Sequence, residues 1–284
     1  MAIVAGDDNP CVYEVGDWTL DKLYILAQYI AVSTNAMVGS PHFSGYHYID
    51  LFAGAGVCAL RERGGKRYPG SALLAACADK AFATMSVVEQ DSEKLQALKA
   101  RLLRCVDSGS ENLCGLSAYA GDCNNLAGKI AESVPARSLN LAFVDPFALG
   151  VDFTTIQTLA SAGQVDFLIL IADDMDIVRN IDKVYYPASD GQLDSFFGRQ
   201  SSWRQSWDEL KVRTADNMRD WVADTYATQL RSLGYAHVER TGIPRQGRQL
   251  YSLLYASRSK VGLKFWRIAK KYDLGGSRPL FADY

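Results

Sequence analysis

Residues 50–56 read Asp-Leu-Phe-Ala-Gly-Ala-Gly, a glycine turn placed directly after a β-branched and aromatic run. Gly54 and Gly56 let the backbone turn tightly and let a ligand approach it closely. The amides that follow can hold a carboxylate or a phosphate. Gly54, Gly56 and Ala59 also satisfy the dinucleotide pattern G-x-G-x-x-A, so the turn alone does not name its ligand. Asp50 separates the two readings. Its carboxylate repels a pyrophosphate but suits the ammonium group of S-adenosylmethionine, with Phe52 and Ala53 in the same turn completing the contact set. A purely structural turn is the alternative.

Three further groups fit the same ligand. Glu89 ends the strand-like run in VVEQD, where a carboxylate can accept both ribose hydroxyls, with Gln90 beside it. A surface acid at a strand end is the alternative. Glu89 lies farther from the turn than the ~20 residues of a simple unit, and the excess is a loop, 61–70, predicted to lie over the cofactor edge. Asp122, in AGDC, is placed to hold the adenine amino group, with Cys123 or its amide beside it; an exposed turn aspartate fits equally. Residues 143–147 read Phe-Val-Asp-Pro-Phe. The carboxyl ends of adjacent strands line the reacting crevice of an open α/β sheet, so Asp145 is expected near the transferable methyl group. Pro146 stiffens the turn and exposes its carbonyl, and Phe147 follows. A strand-capping turn is the alternative.

Methyl transfer asks little of a protein, because the sulfonium already makes the methyl electrophilic. Positioning and desolvation carry most of the catalysis, and Asp145 can orient or deprotonate a nucleophile. The six cysteines contain no C-x-x-C pair, and Cys58 and Cys77 lie in Ala-rich surroundings. They read as buried, reduced thiols of a cytoplasmic protein. The three histidines are dispersed, so no metal site is predicted.

The elements that must position these groups follow from periodicity. Leu23, Leu26, Tyr29 and Ile30 recur at helical spacing over 19–37, with Thr19 as the expected cap. Strands are expected at 46–52, 83–89, near Ala120, at 140–144 and at 165–171, the last two buried on both faces. Helices are expected at 71–81, with Ser71 as N-cap, and at 92–103 and 152–161. This alternation predicts a doubly wound, mostly parallel α/β sheet. Residues 173–232 read as a helical insertion. Two strands, 234–240 and 249–257, flank a loop TGIPRQGRQ as a terminal antiparallel hairpin, and 260–272 reads as a basic amphipathic helix. A single elaborated domain with a helical extension over 1–40 is the expected organisation.

The chain has 284 residues, 48% hydrophobic and 22% charged, which argues against disorder, and its net charge is −2. No stretch approaches the ~18 apolar residues of a membrane span. The mean conceals a polarity: 240–278 holds ten basic residues against Asp273 alone, a +9 tail beside a −11 body. A basic segment beside an acidic body suggests an anionic partner such as nucleic acid, with a solvated helix face as the alternative.

A parallel sheet closed by a late hairpin resembles the class I S-adenosylmethionine-dependent methyltransferase architecture, and DLFAGAG resembles motif I of that class. Asp145-Pro146-Phe147 resembles the D-P-P-Y motif of amino methyltransferases, with Phe147 in place of the second proline; in that family an aromatic side chain stacks on a flipped base. Taken with GSALLA, VVEQD, DIVRN, FFG and LYSLLYASRSKVGLKFW, the chain resembles the three-Cys-motif partner family over nearly its whole length. That resemblance implies a Rossmann-like methyltransferase binding S-adenosyl-L-methionine and a neighbouring partner protein of the three-Cys-motif family. It also implies a substrate side lined by Arg179 and Asn180; Arg61, Arg63, Lys66 and Arg67 are expected to meet an anionic acceptor. A non-catalytic cofactor-binding module and an NAD-type oxidoreductase are the other two readings.

Overall fold

The computed structural model describes residues 3–5, 8–107, 115–245 and 248–271. Strands β1 (Ile3–Ala5) and β2 (Cys11–Val15) precede helix α1 (Trp18–Met37). Strand β3 (Tyr46–Asp50) leads into the glycine turn, then β4 (Val57–Leu60), β5 (Lys66–Pro69) and α2 (Ser71–Ala76). Next come β6 (Thr84–Glu89), α3 (Ser92–Asp107), β7 (Leu116–Ala120), α4 (Cys123–Ser133), β8 (Leu139–Val144), α5 (Phe153–Ser161) and β9 (Gln164–Ile171). Two π turns, Asp173–Ile177 and Ile181–Tyr185, flank the short α6 (Val178–Asn180). Helices α7 (Gln192–Phe197), α8 (Trp203–Glu209) and α9 (Ala215–Ser232), the hairpin β10 (His237–Arg245) and β11 (Arg248–Ser257), and α10 (Lys260–Ala269) complete the order.

Seven strands form one sheet in the order β10-β11-β9-β8-β3-β6-β7. The five from β9 to β7 run parallel, and β11 and β10 are antiparallel additions. This is the expected α/β fold, a mostly parallel sheet closed by an antiparallel hairpin. Strands β3 and β8 are buried along their whole length and β9 after its first residue; β8 and β9 are accordingly mostly apolar, while β3 buries His47 and Asp50 among its aromatic residues. The chain leaves β3 toward β6 on one side and toward β8 on the other. The carboxyl ends of β3, β6 and β8 therefore border the crevice at which such sheets bind ligands. Helix α1 packs against α10 and covers the sheet face; its Tyr29 hydroxyl donates to Asp166 Oδ2 on β9 at 2.9 Å. On the other face, Trp203, Trp207 and Trp221 pack with Phe196, Phe197 and Tyr226, the anchors of the helical insertion.

Several expectations are corrected. Residues 1–40 are not purely helical: β1 and β2 join β4 and β5 in a second, four-stranded sheet. The 61–70 loop is largely the return arm of the β4–β5 hairpin, whose buried Tyr68 pairs with Cys58. Helix α1 starts at Trp18, so Thr19 lies inside it, buried, and Asp17 is the capping position. Ser71 is the first helical residue of α2, not its cap, because its hydroxyl is drawn to Asp50; α2 also ends at Ala76, short of 81. The segment TGIPRQGRQ is mostly strand: Ile243 is buried and pairs with Tyr251, and Pro244 is tolerated because β10 is an edge strand with a register shift there. Gly234, at φ +87°, ends α9, so β10 begins only at His237. Cys77 is exposed rather than buried, its Sγ 3.6 Å from that of Cys105; Cys114 and the tail beyond Lys271 lie outside the described residues.

Candidate functional site

The glycine turn is held in place by backbone bonds from both neighbouring strands. The Leu51 amide donates to Phe143 O of β8 at 3.2 Å, and the Ala53 amide to Val88 O of β6 at 2.9 Å. Gly54 (φ +62°) and Gly56 (φ +82°) adopt left-handed backbone that L side chains avoid. A Cβ on Gly54 would also strike the Tyr13 ring, 2.8 Å away. After the turn the chain enters strand β4, with Ala59 paired to Glu14 of β2. The dinucleotide pattern needs a helix there, so G-x-G-x-x-A is a coincidence of spacing. The helix beside the turn is α2, whose preceding Gly70 amide donates to Gly56 O at 2.6 Å.

Four acidic side chains stand at the carboxyl edge of the sheet, three of them around this turn. Asp50 is fully buried, accepting from the Phe52 amide and the Tyr48 hydroxyl at 3.2 Å each, and from Ser71. Burial pushes its carboxyl up to about 7, against the pull of these donors, and the nearby Asp145 charge adds to the rise. Among the described residues Asp50 has no ion-pair partner. Glu89 accepts the Gly54 amide on one oxygen and the Asp91 amide on the other, both at 2.9 Å. That fixes its carboxylate beside the turn. Asp145, at the end of β8, receives Lys22 Nζ from α1 on both oxygens, at 2.8 and 2.6 Å. Asp173, after β9, accepts from Ser252 and Gln249 of β11, and burial pushes it up to about 6.

Tyr13 reports that three of these groups converge. Its hydroxyl is held well above the ordinary tyrosine range by burial first, then by the nearby Cys58 thiol and the charges of Asp145, Asp50 and Glu89. Strand β2 carries this ring across Gly54, and α3 locks β2 in place. Arg101, only 4% exposed, donates to both oxygens of Asp8 at 2.8 Å and to the carbonyls of Pro10, Cys11 and Ala55.

The remaining predicted residues are placed differently. Asp122 caps α4, its Oδ1 accepting the Asn124 amide at 2.8 Å, so this side chain is committed to the helix. Cys123 is buried, and burial pushes its thiol up to about 12. Phe52 is half-buried, Ala53 buried and Gln90 exposed. Pro146 is buried, whereas Phe147 is 75% exposed, a bare aromatic ring beside Asp145. Arg61, Arg63 and Lys66 are exposed on the β4–β5 hairpin and Arg67 is half-buried; Arg63 pairs with Asp17 at 3.3 Å. Arg179 approaches Asp174 at 3.9 Å, and Asn180 donates to Asp176 at 2.8 Å, so both brace the turns after β9.

Sequence reasoning missed Lys22, Tyr13 and Arg101. A lysine inside the apolar run of α1 was the available signal for the first. Tyr13 and Arg101 carried none, because their partners lie in other elements.

No protein-family model matches the chain, and no curated protein does. Among solved structures it is similar to protein LPL1258 from Legionella pneumophila str. Philadelphia 1, described under family model DUF519, at 10% identity over 89% of this chain and 90% of that one, with a TM-score of 0.50. It also matches the O-methyltransferase from Bacillus cereus in complex with SAH, at 7% identity over 83% and 80% of the two chains and a TM-score of 0.45. A third match is M. jannaschii TYW2 in complex with AdoMet, at 8% identity over 86% and 76% and a TM-score of 0.42. At these identities the likeness is one of fold.

Proposed function

We propose that the chain is an S-adenosylmethionine-dependent methyltransferase of the three-Cys-motif partner kind, with its acceptor seated at Asp145, Pro146 and Phe147. The observation that carries this reading is the convergence of Asp50, Glu89 and Asp145 on one left-handed glycine turn. A buried carboxyl raised to about 7 without an ion-pair partner among the described residues suits a ligand that brings its own ammonium. It suits a pyrophosphate poorly, which disfavours the NAD-type reading together with the strand that follows the turn. Asp50 would hold the amino-acid end of the cofactor, Glu89 the ribose, and Tyr13 would close over the turn. The bound cofactor supplies an electrophilic methyl group.

The chain's own residues do the rest. Asp145 accepts a proton-bearing nucleophile and orients it, the Pro146 carbonyl offers a second acceptor, and the exposed Phe147 ring gives a planar substrate a stacking surface. Lys22 holds the Asp145 carboxylate in place until the acceptor arrives. The exposed Arg61 and Lys66 favour an anionic acceptor, while Arg179 and Asn180 act through the turns they brace. Asp122 contributes through the amide end of α4.

Calorimetry against S-adenosylhomocysteine and NAD, followed by a tritiated-methyl screen over RNA, DNA, nucleotide and protein fractions, tests this. Binding of the sulfur ligand and not of NAD is expected. No binding of S-adenosylhomocysteine by folded protein overturns the proposal. Asp145→Ala is expected to abolish transfer while leaving cofactor affinity within about tenfold, or ~1.4 kcal/mol. The bidentate Lys22 contact on Asp145 also fits a non-catalytic module, and a wild-type chain that binds the cofactor but transfers nothing in that screen would favour it.

A further inference from the structure

Helix α10 buries Gly262, Trp266 and Ala269 and leaves Lys260, Lys264 and Arg267 exposed on one face, with Lys271 following in the next turn. These four side chains line a groove of about 550 Å³ with His237 and an apolar floor that includes Leu263 and Ile268. Arg267 pairs with Glu239 at 2.7 Å, and the neighbouring Lys270 shares that carboxylate at 3.0 Å. Lys260, Lys264 and Lys271 have no acidic partner among the described residues. The helix cannot roll to offer its apolar side, because Trp266 stacks on Tyr255, ring centroids 5.1 Å apart, inside the core. Its cationic face is therefore a fixed surface, and an amphipathic insertion into lipid is not open to it.

We infer that this stripe binds the phosphodiester backbone of a single-stranded nucleic acid and delivers it to the site proposed above. The inference rests on that reading for its purpose, though not for its test. Charge complementarity carries it. The whole chain is −2, so a polyanion gains nothing from the molecule at large and is attracted where cations line up. Successive cations at i, i+4 and i+7 rise about 4.5–6 Å along the helix axis. The long lysine stems can follow a flexible strand whose bases are unstacked. The apolar floor and the exposed Phe147 offer such bases surfaces that a closed duplex cannot use. His237 of β10, which lines the groove, pairs with Ser257, and farther along β11 Ser252 donates to Asp173 at the carboxyl edge of the sheet, so the hairpin spans from groove to site edge.

The test is fluorescence anisotropy with labelled 20-nucleotide RNA and DNA single strands of mixed sequence, over a KCl series. The proteins are wild type, the triple variant K260Q/K264Q/K271Q, and a matched control K99Q/K129Q/K211Q on other exposed positions. The wild type is expected to bind at least one strand with steep salt dependence. The stripe variant should lose about two units of the log–log slope, at roughly 0.7 per phosphate contact, and about 100-fold in affinity near 0.1 M salt. The control should bind as the wild type does. No binding of either strand overturns the inference, as does a stripe variant that binds normally or a control that loses equally. Binding to phosphatidylserine vesicles in place of oligonucleotides also overturns it. S-adenosylhomocysteine calorimetry on the same three proteins reports the cofactor site separately: its failure in the wild type sinks the methyltransferase reading and leaves the oligonucleotide result to stand or fall alone.

Discussion

Lys22 and Asp145 are 123 positions apart in the chain, yet the ammonium sits on both carboxylate oxygens. Only 12% and 18% of the two side chains are exposed, so the pair is sheltered from screening far better than a surface ion pair. Lys22→Met removes the group that fixes Asp145. Methyl transfer in single turnover is expected to fall ~100-fold, with S-adenosylhomocysteine affinity unchanged within about tenfold. An unchanged transfer rate would assign Lys22 to stability alone. Asp50 carries a pH signature. Its carboxyl rises from 3.8 unfolded to about 7 folded, so ionising it opposes folding. The stability it permits is whole below about pH 3.8 and is lost as the pH rises through 7. Asp50→Asn removes that loss, and its thermal midpoint should gain on the wild type between pH 5 and 8. A constant difference across that interval would contradict the assignment. Cofactor affinity has the opposite slope: the ligand's ammonium needs the ionised carboxylate, so S-adenosylhomocysteine should bind up to about tenfold more weakly per pH unit below 7.

At the scale of elements, β2 is the least expected part of the molecule and one of the most consequential. It pairs in parallel with β4, from Tyr13↔Cys58 to Val15↔Leu60, and its start is clasped by Arg101. Arg101→Met leaves the Cys11 and Ala55 carbonyls without their donor and, among the described residues, leaves Asp8 only the longer contact to Arg104. A loss of about 3 kcal/mol in urea unfolding is expected, with weakened cofactor binding because Tyr13 is no longer held over Gly54. A variant as stable as the wild type would show that the clasp is incidental. The parallel strands were legible in the sequence because burial on both faces writes them as mostly apolar runs, as in LNLAFV and QVDFLILI, each interrupted by one buried polar side chain, Asn140 or Asp166. The four-stranded sheet was not. β5 reads Lys-Arg-Tyr-Pro, where charge and proline imitate a loop, and β2 is a five-residue strand joined to the three-residue β1 and, beyond α1, to β4.

Across the whole molecule, the same distinction separates what could be read of the site. Asp50, Glu89 and Asp145 stand at strand ends, and strand ends are located by local pattern. Lys22 and Tyr13 reach the site only through tertiary packing, and Asp122 shows the converse: a strand-end acid whose side chain is spent on capping the next helix. The charge polarity seen in composition resolves into geometry as well. Of the +9 tail, Arg240 pairs with Asp220, and Arg258 donates to the carbonyls of Ala160, Gly163 and Leu233. Among the described side chains, the cations of the tail left without an acidic or carbonyl partner, Lys260, Lys264 and Lys271, lie on the outer face of α10 and the turn that follows it. The clasped β2 strand has a temporal meaning too. If the ligand lies beneath Tyr13, it cannot leave while the β2–β4 pairing is intact, so unzipping of that short ladder sets the residence time. The amides of residues 11–15 would then exchange with solvent in step with ligand departure, and turnover would be clocked by the first strands of the chain rather than by the carboxylates they cover.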